Sequence, residues 1–361
     1  MLPELGRQGQ EKLKGSSVVV VGAGGLGIPT SVYLAAAGVG RIGIVDEDEV
    51  EKSNLHRQTI YTEEDVGMPK ARVAAGRLKG VNPHVVVEPY ESRLSSANTM
   101  KILKEYDVVV DCTDNFPARY LINDACVLLG KPDVYASIFR FDGQASTFHA
   151  QKGPCYRCLF PEPPPPDSVQ DCAVAGVLGV LPGIMGSVQA VEAMKLMLDL
   201  GDPLYGRLLL FNATEMTFNE LRFKKNQDCP VCGRKPTVRK LIDYEEFCGV
   251  RRAAPSVEEV TPVELKRKID VGKRIVLLDV REPYEYALCR IKNSKLIPLG
   301  ELERRVSELD RSAETVVYCH TGARSARAVE LLSSKGFRRV RNLKGGIRAW
   351  AEEVDPKIPI Y

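Results

Sequence analysis

A β-branched run, Ser16–Val21, breaks into Gly22-Ala23-Gly24-Gly25-Leu26-Gly27 and resumes as the helix-compatible stretch Ile28–Ala37. No other feature limits the possible folds as much. Glycines at this spacing let the backbone turn tightly and close on a phosphate. The helix behind them supplies amide donors and the positive end of its dipole. Arg41–Val45 reads as the next strand and ends in Asp46, 24 residues after Gly22, where a carboxylate can hold a ribose hydroxyl. Val85–Pro89 and Val108–Asp111 continue the series. The alternation predicts an α/β protein with a Rossmann-like, doubly wound parallel sheet around a nucleotide site. Taken alone, the turn fits a nicotinamide dehydrogenase as well as an ATP-using enzyme.

The residues beyond Asp46 separate these readings. Ser53-Asn54-Leu55-His56-Arg57-Gln58 is polar and basic, Lys70 follows Gly67-Met68-Pro69, and Asp111-Cys112-Thr113-Asp114-Asn115 closes a buried strand. Singly, each charge fits a solvated surface. Together, at successive strand ends, they suit ATP: Arg57 and Lys70 face phosphate oxygens and Asp114 holds Mg²⁺. Hydride transfer uses neither a phosphate-neutralising pair nor a metal.

Beyond Cys232-Gly233 the pattern becomes irregular through about Ser256, and a fresh β/α series then begins: strand Ile275–Val280, helix Leu299–Leu309, strand Thr315–Tyr318 and helix Ser325–Ser334. The expected division is a first domain over 1–257, including a linker from about 235, and a smaller α/β domain over 258–361. The second domain is net +5 and the first net −2, within a chain of net +3, which excludes polyanion binding held by charge alone. No nucleic-acid partner is expected. Cys172–Val191 is uncharged for 20 residues, but Pro182, Gln189 and glycines at 176, 179, 183 and 186 argue for a buried, closely packed helix rather than a membrane span. Met1-Leu2-Pro3-Glu4 leads into a charged segment without an apolar signal core. With 10 cysteines in a chain of 361 residues, this points to the cytoplasm and to metal or sulfur chemistry rather than disulfides.

Two of the cysteine pairs are C-x₂-C knuckles, Cys155-Tyr156-Arg157-Cys158 and Cys229-Pro230-Val231-Cys232. A two-residue spacer turns both thiolates toward one ion, and two knuckles complete a closed Cys₄ zinc site. A redox C-x-x-C is the rival. Cys319-His320-Thr321-Gly322-Ala323-Arg324-Ser325 leads from a strand into a helix. Backbone amides, the helix N-terminus and Arg324 all favour thiolate or persulfide there, against the alternative of an inert buried cysteine. Cys112 and Cys126 read as core positions.

On the Gly22–Gly27 turn, Asp46, Asn54–Gln58, Lys70 and Asp114-Asn115, residues 1 to about 250 resemble the molybdopterin-synthase and thiamine-type adenylyltransferases of the ubiquitin-activating enzyme fold. The resemblance implies adenylation, with ATP and Mg²⁺, of the C-terminal carboxylate of a small ubiquitin-like carrier ending in Gly-Gly. It gives Asp46 the ribose, Asn54, Arg57 and Lys70 the phosphates, and Asp114 the metal. It also implies a homodimer and agrees with zinc on the four knuckle cysteines. The arginine-bearing segment with which such proteins commonly begin is not matched and Arg7 is not given its role, so a truncated start or impaired adenylation is expected.

Residues 258–361 resemble a rhodanese sulfurtransferase on Leu278-Asp279-Val280-Arg281-Glu282, Ile297-Pro298-Leu299, the Cys319–Ser325 loop and Gly345-Gly346-Ile347 near Trp350, with Cys289-Arg290 where the family has Gly-His. The implied chemistry is a Cys319 persulfide, loaded by a cysteine desulfurase or thiosulfate, that delivers sulfur to the adenylated carrier. Cys172 then acts as a crossover-loop cysteine that frees a thiocarboxylate. The alternative is a carrier-binding scaffold without adenylation that keeps an active rhodanese domain. The carrier's identity decides between molybdenum-cofactor, thiamine, cysteine and tRNA-thiolation pathways.

Overall fold

A computed structural model describes residues 5–164, 176–249 and 258–359, and the chain divides between Val250 and Arg251 into two compact units. In the first, α1 (Gly6–Gly15) precedes β1 (Ser17–Val21), α2 (Gly27–Ala37), β2 (Arg41–Val45), α3 (Lys70–Val81), β3 (Val86–Tyr90), α4 (Thr99–Leu103), β4 (Val108–Asp111), α5 (Phe116–Leu129) and β5 (Asp133–Phe139). These five strands are parallel in the order 3-2-1-4-5. Their near-continuous valine and isoleucine runs suit strands covered on both faces. Val18, Val20, Ile42 and Ile44 pack in a cluster with α2 and α3 residues, while Val19, Val21, Val109 and Tyr135 pack in another with α5 residues.

Beyond β5 the sheet changes direction. β6 (Asp142–Phe148), β7 (Arg207–Asn212) and β8 (Thr217–Arg222) add antiparallel strands, completing an eight-stranded sheet. The sequence reading names four of the five parallel strands and misses β5 as well as the antiparallel strands. Almost every residue of β8 is exposed, so it lacks the apolar run that marks a buried strand.

The uncharged stretch is only partly helical. α6 (Tyr156–Leu159) is a single turn, and α7 (Leu181–Leu198) begins at Leu181 with Pro182 in its first turn; Cys172 lies outside the described residues. The expected glycine face on one helix is therefore corrected. Gly176 and Gly179 precede α7, and each close approach has a different target. A Cβ on Gly179 would stand 2.9 Å from His56 O, and one on Gly186 2.5 Å from Leu26 O at the start of α2, whereas Gly183 meets nothing. No described helix is long and apolar enough to cross a membrane.

A short helix, α8 (Tyr244–Phe247), ends the described part of the first unit. The second unit runs β9 (Glu259–Val260), α9 (Pro262–Asp270), β10 (Ile275–Asp279), α10 (Pro283–Leu288), β11 (Lys295–Leu296), α11 (Leu299–Arg305), β12 (Glu314–Tyr318), α12 (Ala323–Ser334), β13 (Val340–Leu343) and α13 (Gly346–Glu353). Its five strands are parallel in the order 11-10-12-13-9. The helix expected to reach Leu309 stops at Arg305 and tightens into a 3₁₀ turn over Val306–Glu308.

Candidate functional site

In the first unit β1 and β4 are neighbours whose crossovers leave in opposite directions, so their C-terminal ends open a crevice at the topological switch point. Gly22 sits there with φ +100°, and a Cβ would lie 2.8 Å from Cys112 O; Gly27 cannot carry one because Gly22 O would be 1.8 Å away. Gly24 faces the Gln58 amide, and Gly25 backs onto Pro182 of α7 and Arg57 O. Gly22 and Gly27 thus close the loop against backbone, and Gly24 and Gly25 leave room for the Gln58 and Pro182 side chains. Asp46 joins it: Ala23 N donates to Oδ2 at 2.7 Å and Asp48 N to Oδ1 at 2.8 Å. Burial lifts the Asp46 carboxyl above its ordinary value, and Lys70 opposes that shift.

Lys70 is nearly buried and its Nζ lies 2.9 Å from Asp48 Oδ2, while its own N–H donates to Asp48 O. Asn54 Oδ1 accepts from Arg57 Nη2 at 2.6 Å, and Arg57 Nη1 donates to Ser53 O at 3.3 Å. His56 Nδ1 also lies 3.1 Å from Ser53 O, and Leu55 packs on the apolar cluster beneath. The Ser53–Gln58 segment therefore touches the glycine loop through Arg57 and Gln58. Asp114 is exposed in the turn after β4, and Asn115 caps α5 by accepting from Ala118 N at 3.0 Å.

Cys155, Cys158, Cys229 and Cys232 converge, with all four sulfurs within 4.8 Å of one another. The separations 155–229, 158–232 and 155–158 are 3.6, 3.4 and 3.9 Å. A tetrahedral ion with Zn–S of about 2.3 Å requires edges of about 3.8 Å, so this donor set fits zinc and leaves no open position. Below the knuckle, Arg157 forms a bidentate pair with Asp124 (2.8 Å twice), its guanidinium between the Tyr120 and Phe247 rings. Tyr244 of α8 also donates to Asp124, at 2.8 Å.

In the second unit Cys319 directly follows β12, and its buried sulfur accepts from Gly322 N at 3.1 Å and Ser325 Oγ at 3.4 Å. Gly322, with φ +103°, caps α12. Arg324 reaches Glu285 on α10 through two bonds of 2.7 and 2.8 Å. Its charge is therefore partnered by a carboxylate. Arg281 and Asp279 form a second, fully buried pair, and Arg281 also donates to Cys289 O at 2.7 Å. Cys112, Cys126, Cys248 and Cys289 are all buried, and the nine described cysteines form no disulfide.

Sequence reasoning did not find Asp48, Gln189, Ser325 as a donor to sulfur, or Glu285. Asp48 had a signal, an acid two residues past Asp46. Gln189 stood as one amide within a charge-free run; it bridges Asp111 O and Val134 O and accepts from Cys112. Glu285 had no local signal, because its partner lies 39 residues away.

A glycine-cradled crevice in one unit and a donor-lined thiol loop in the other define a nucleotide-binding α/β protein joined to a sulfur-handling one. The ThiF family matches residues 1–231 and the rhodanese-like domain residues 261–353. The chain belongs to the ThiF family and carries a C-terminal rhodanese-like domain. It is 59% identical to the sulfur carrier protein adenylyltransferase of Thermus thermophilus over 70% of this chain and 94% of that protein. Similarity to the probable adenylyltransferase/sulfurtransferase MoeZ of Mycobacterium tuberculosis is 43% over the whole chain and 93% of the relative. Mouse adenylyltransferase and sulfurtransferase MOCS3 is also 43% identical, over the whole chain and 85% of its own. Among solved structures, E. coli MccB with AMPCPP and MccA has a TM-score of 0.57 at 23% identity, covering 62% of this chain and 68% of that one, a likeness of fold alone.

Proposed function

We infer that this enzyme adenylates the C-terminal carboxylate of a small ubiquitin-like sulfur carrier ending in Gly-Gly and then replaces AMP with sulfur held on Cys319. The observation that carries the reading is the presence, in one chain, of a glycine-lined crevice at the sheet's switch point and a thiol set among hydrogen-bond donors. Full-length relatives bearing both enzyme names support it and favour it over a carrier-binding scaffold.

Residues 1–257 are assigned the first reaction and 258–361 the second. Gly22, Gly24, Gly25 and Gly27 would line the ATP phosphates and Asp46 the ribose. Asn54, Arg57 and Lys70 would face phosphate oxygens, with Ser53, Leu55 and His56 shaping that segment. Exposed Asp114 is a suitable donor for Mg²⁺, which when bound neutralises phosphate charge. The carrier carboxylate is already ionised, so its oxygen attacks the α-phosphorus without a general base and pyrophosphate leaves; positioning and charge neutralisation carry the step. The Cys319 thiolate attacks the sulfane sulfur of a desulfurase persulfide or of thiosulfate, breaking its S–S bond and releasing the desulfurase thiolate or sulfite, and becomes a persulfide. The terminal sulfur attacks the acyl carbon and AMP leaves, forming an acyl disulfide. Thiolate attack by Cys172 on the Cys319 sulfur frees the thiocarboxylate and leaves a Cys172–Cys319 disulfide, which an external dithiol reduces. Cys155, Cys158, Cys229 and Cys232 would hold a structural zinc. A cytoplasmic homodimer completes the reading.

The test is to incubate the protein with ATP, Mg²⁺, thiosulfate and candidate carriers and to weigh the carriers. Covalent transfer predicts a gain of about 16 Da, one oxygen replaced by sulfur. AMP release without that gain would exclude the sulfur step.

A further inference from the structure

Asp114 is exposed, and its side chain makes no hydrogen bond or ion pair among the described residues. The residues on either side of it are held tightly. Thr113 N and Oγ1 donate to Asp111 Oδ1 at 2.9 and 2.6 Å, and Arg119 Nη2 donates to Thr113 O at 3.2 Å. Every polar atom of Thr113 is thus bound to Asp111 or Arg119. On the other side, the Asn115 side chain is committed to capping α5.

Both holding residues are rooted in the core. Asp111 is 1% exposed and Arg119 8%. Gln189 Nε2 donates to Asp111 O at 2.7 Å, and Cys112 N ties the strand end to Val21 O. The Arg119 guanidinium lies 5.4 and 5.6 Å from the Phe116 and Tyr135 ring centres. Asp111 and Arg119 do not form a closed ion pair with each other. Asp111 Oδ2 and Arg119 Nε are buried without a hydrogen-bond partner, so the bonds that both side chains do make go to Thr113. Burying two charges costs several kcal/mol per ion, and turning the chain from β4 into α5 does not demand them, because Asn115 already caps the helix.

We propose that Asp111 and Arg119 are positioning residues: acting through Thr113, they set the Asp114 carboxylate for a divalent cation arriving with the nucleotide. This rests on the assignment of Asp114 as the metal's carboxylate. Magnesium tolerates little departure from octahedral geometry at 2.0–2.1 Å. A loosened Thr113 therefore shows in cation affinity before it shows in folding.

The test is calorimetric binding of a non-hydrolysable ATP analogue to the full chain at stepped Mg²⁺, with Mg²⁺-free binding and thermal melts alongside. Thr113→Val leaves both buried charges in place and removes one bond. It is expected to raise the Mg²⁺ concentration giving half the full enhancement by about fivefold, the effect of one lost hydrogen bond. Asp111→Asn and Arg119→Lys should raise it at least as far, and Thr113→Ser should keep the wild-type value. Mg²⁺-free binding of the analogue should be unchanged in all four. Asp114→Asn should abolish the enhancement. If Asp114→Asn abolishes it while Thr113→Val and Arg119→Lys leave it intact, the positioning role is overturned and the metal assignment stands. If Asp114→Asn retains the enhancement, the assignment itself is wrong and the positioning role falls with it.

Discussion

At the scale of single residues, the two sites differ in how their charges are held. Cys319 rests on two donors, one of them a side chain. Cys319→Ser should abolish thiocarboxylate formation and leave carrier-dependent ATP–pyrophosphate exchange intact. Ser325→Ala should slow persulfide loading about tenfold, the scale of one hydrogen bond to a charged group, measured by single-turnover loading from thiosulfate. Glu285→Gln removes the carboxylate that accepts two charge-assisted hydrogen bonds from the largely buried Arg324, a loss of about 3 kcal/mol. Its check is a lowered melting midpoint, with reversion of the effect in Glu285→Gln/Arg324→Met. In the first unit Lys70 is already paired to Asp48, so a phosphate competes with that carboxylate for the ammonium.

At the scale of elements, the four-cysteine cluster, the Arg157–Asp124 pair and Tyr244 join four separated stretches of chain. Cys155 caps α6 and Cys158 lies within it, Cys229 and Cys232 come from beyond β8, and Tyr244 of α8 closes on α5 through Asp124. Arg157 and Asp124 are 2% and 0% exposed, so Arg157→Ala should cost about 3–5 kcal/mol by denaturant unfolding. The double replacement Arg157→Met with Asp124→Leu should cost less than either single change. Metal analysis should find one zinc per chain, and chelation should lower the melting midpoint of the full chain. The loss should be steeper in acid, where the thiolates are protonated.

At the scale of the whole molecule, pH acts on a group in the thiol loop. Burial, with Arg324, Arg281 and Arg348 adding to it and Glu285 opposing it, holds the His320 imidazole below its ordinary value. The unfolded chain therefore takes up this proton first. Stability falls as pH drops below about 6.5, until the folded imidazole titrates in turn. His320→Asn should flatten that acid slope when full-chain melting midpoints are compared between about pH 7.5 and 5.5. An unchanged slope would mean that His320 titrates normally.

How much of this was legible follows from the range of the interactions. Four of the five parallel strands of the large sheet, the glycine turn and both cysteine knuckles were readable because each is written in contiguous residues: valine runs, glycines at fixed steps, thiols two residues apart. The antiparallel strands were not, since an exposed edge such as β8 carries no apolar period. Nor was the start of α7, where composition continues unchanged through Leu178 and Leu181. By itself the sequence determined the two α/β units, the glycine and cysteine motifs within them and their order along the chain. Only the tertiary structure decided which charges stand free and which are spent on one another. It paired Arg324 with Glu285 and Lys70 with Asp48, and it gave Thr113 to Asp111 and Arg119. Such pairings depend on where strands and helices bring side chains together in space, which spacing along a chain does not encode.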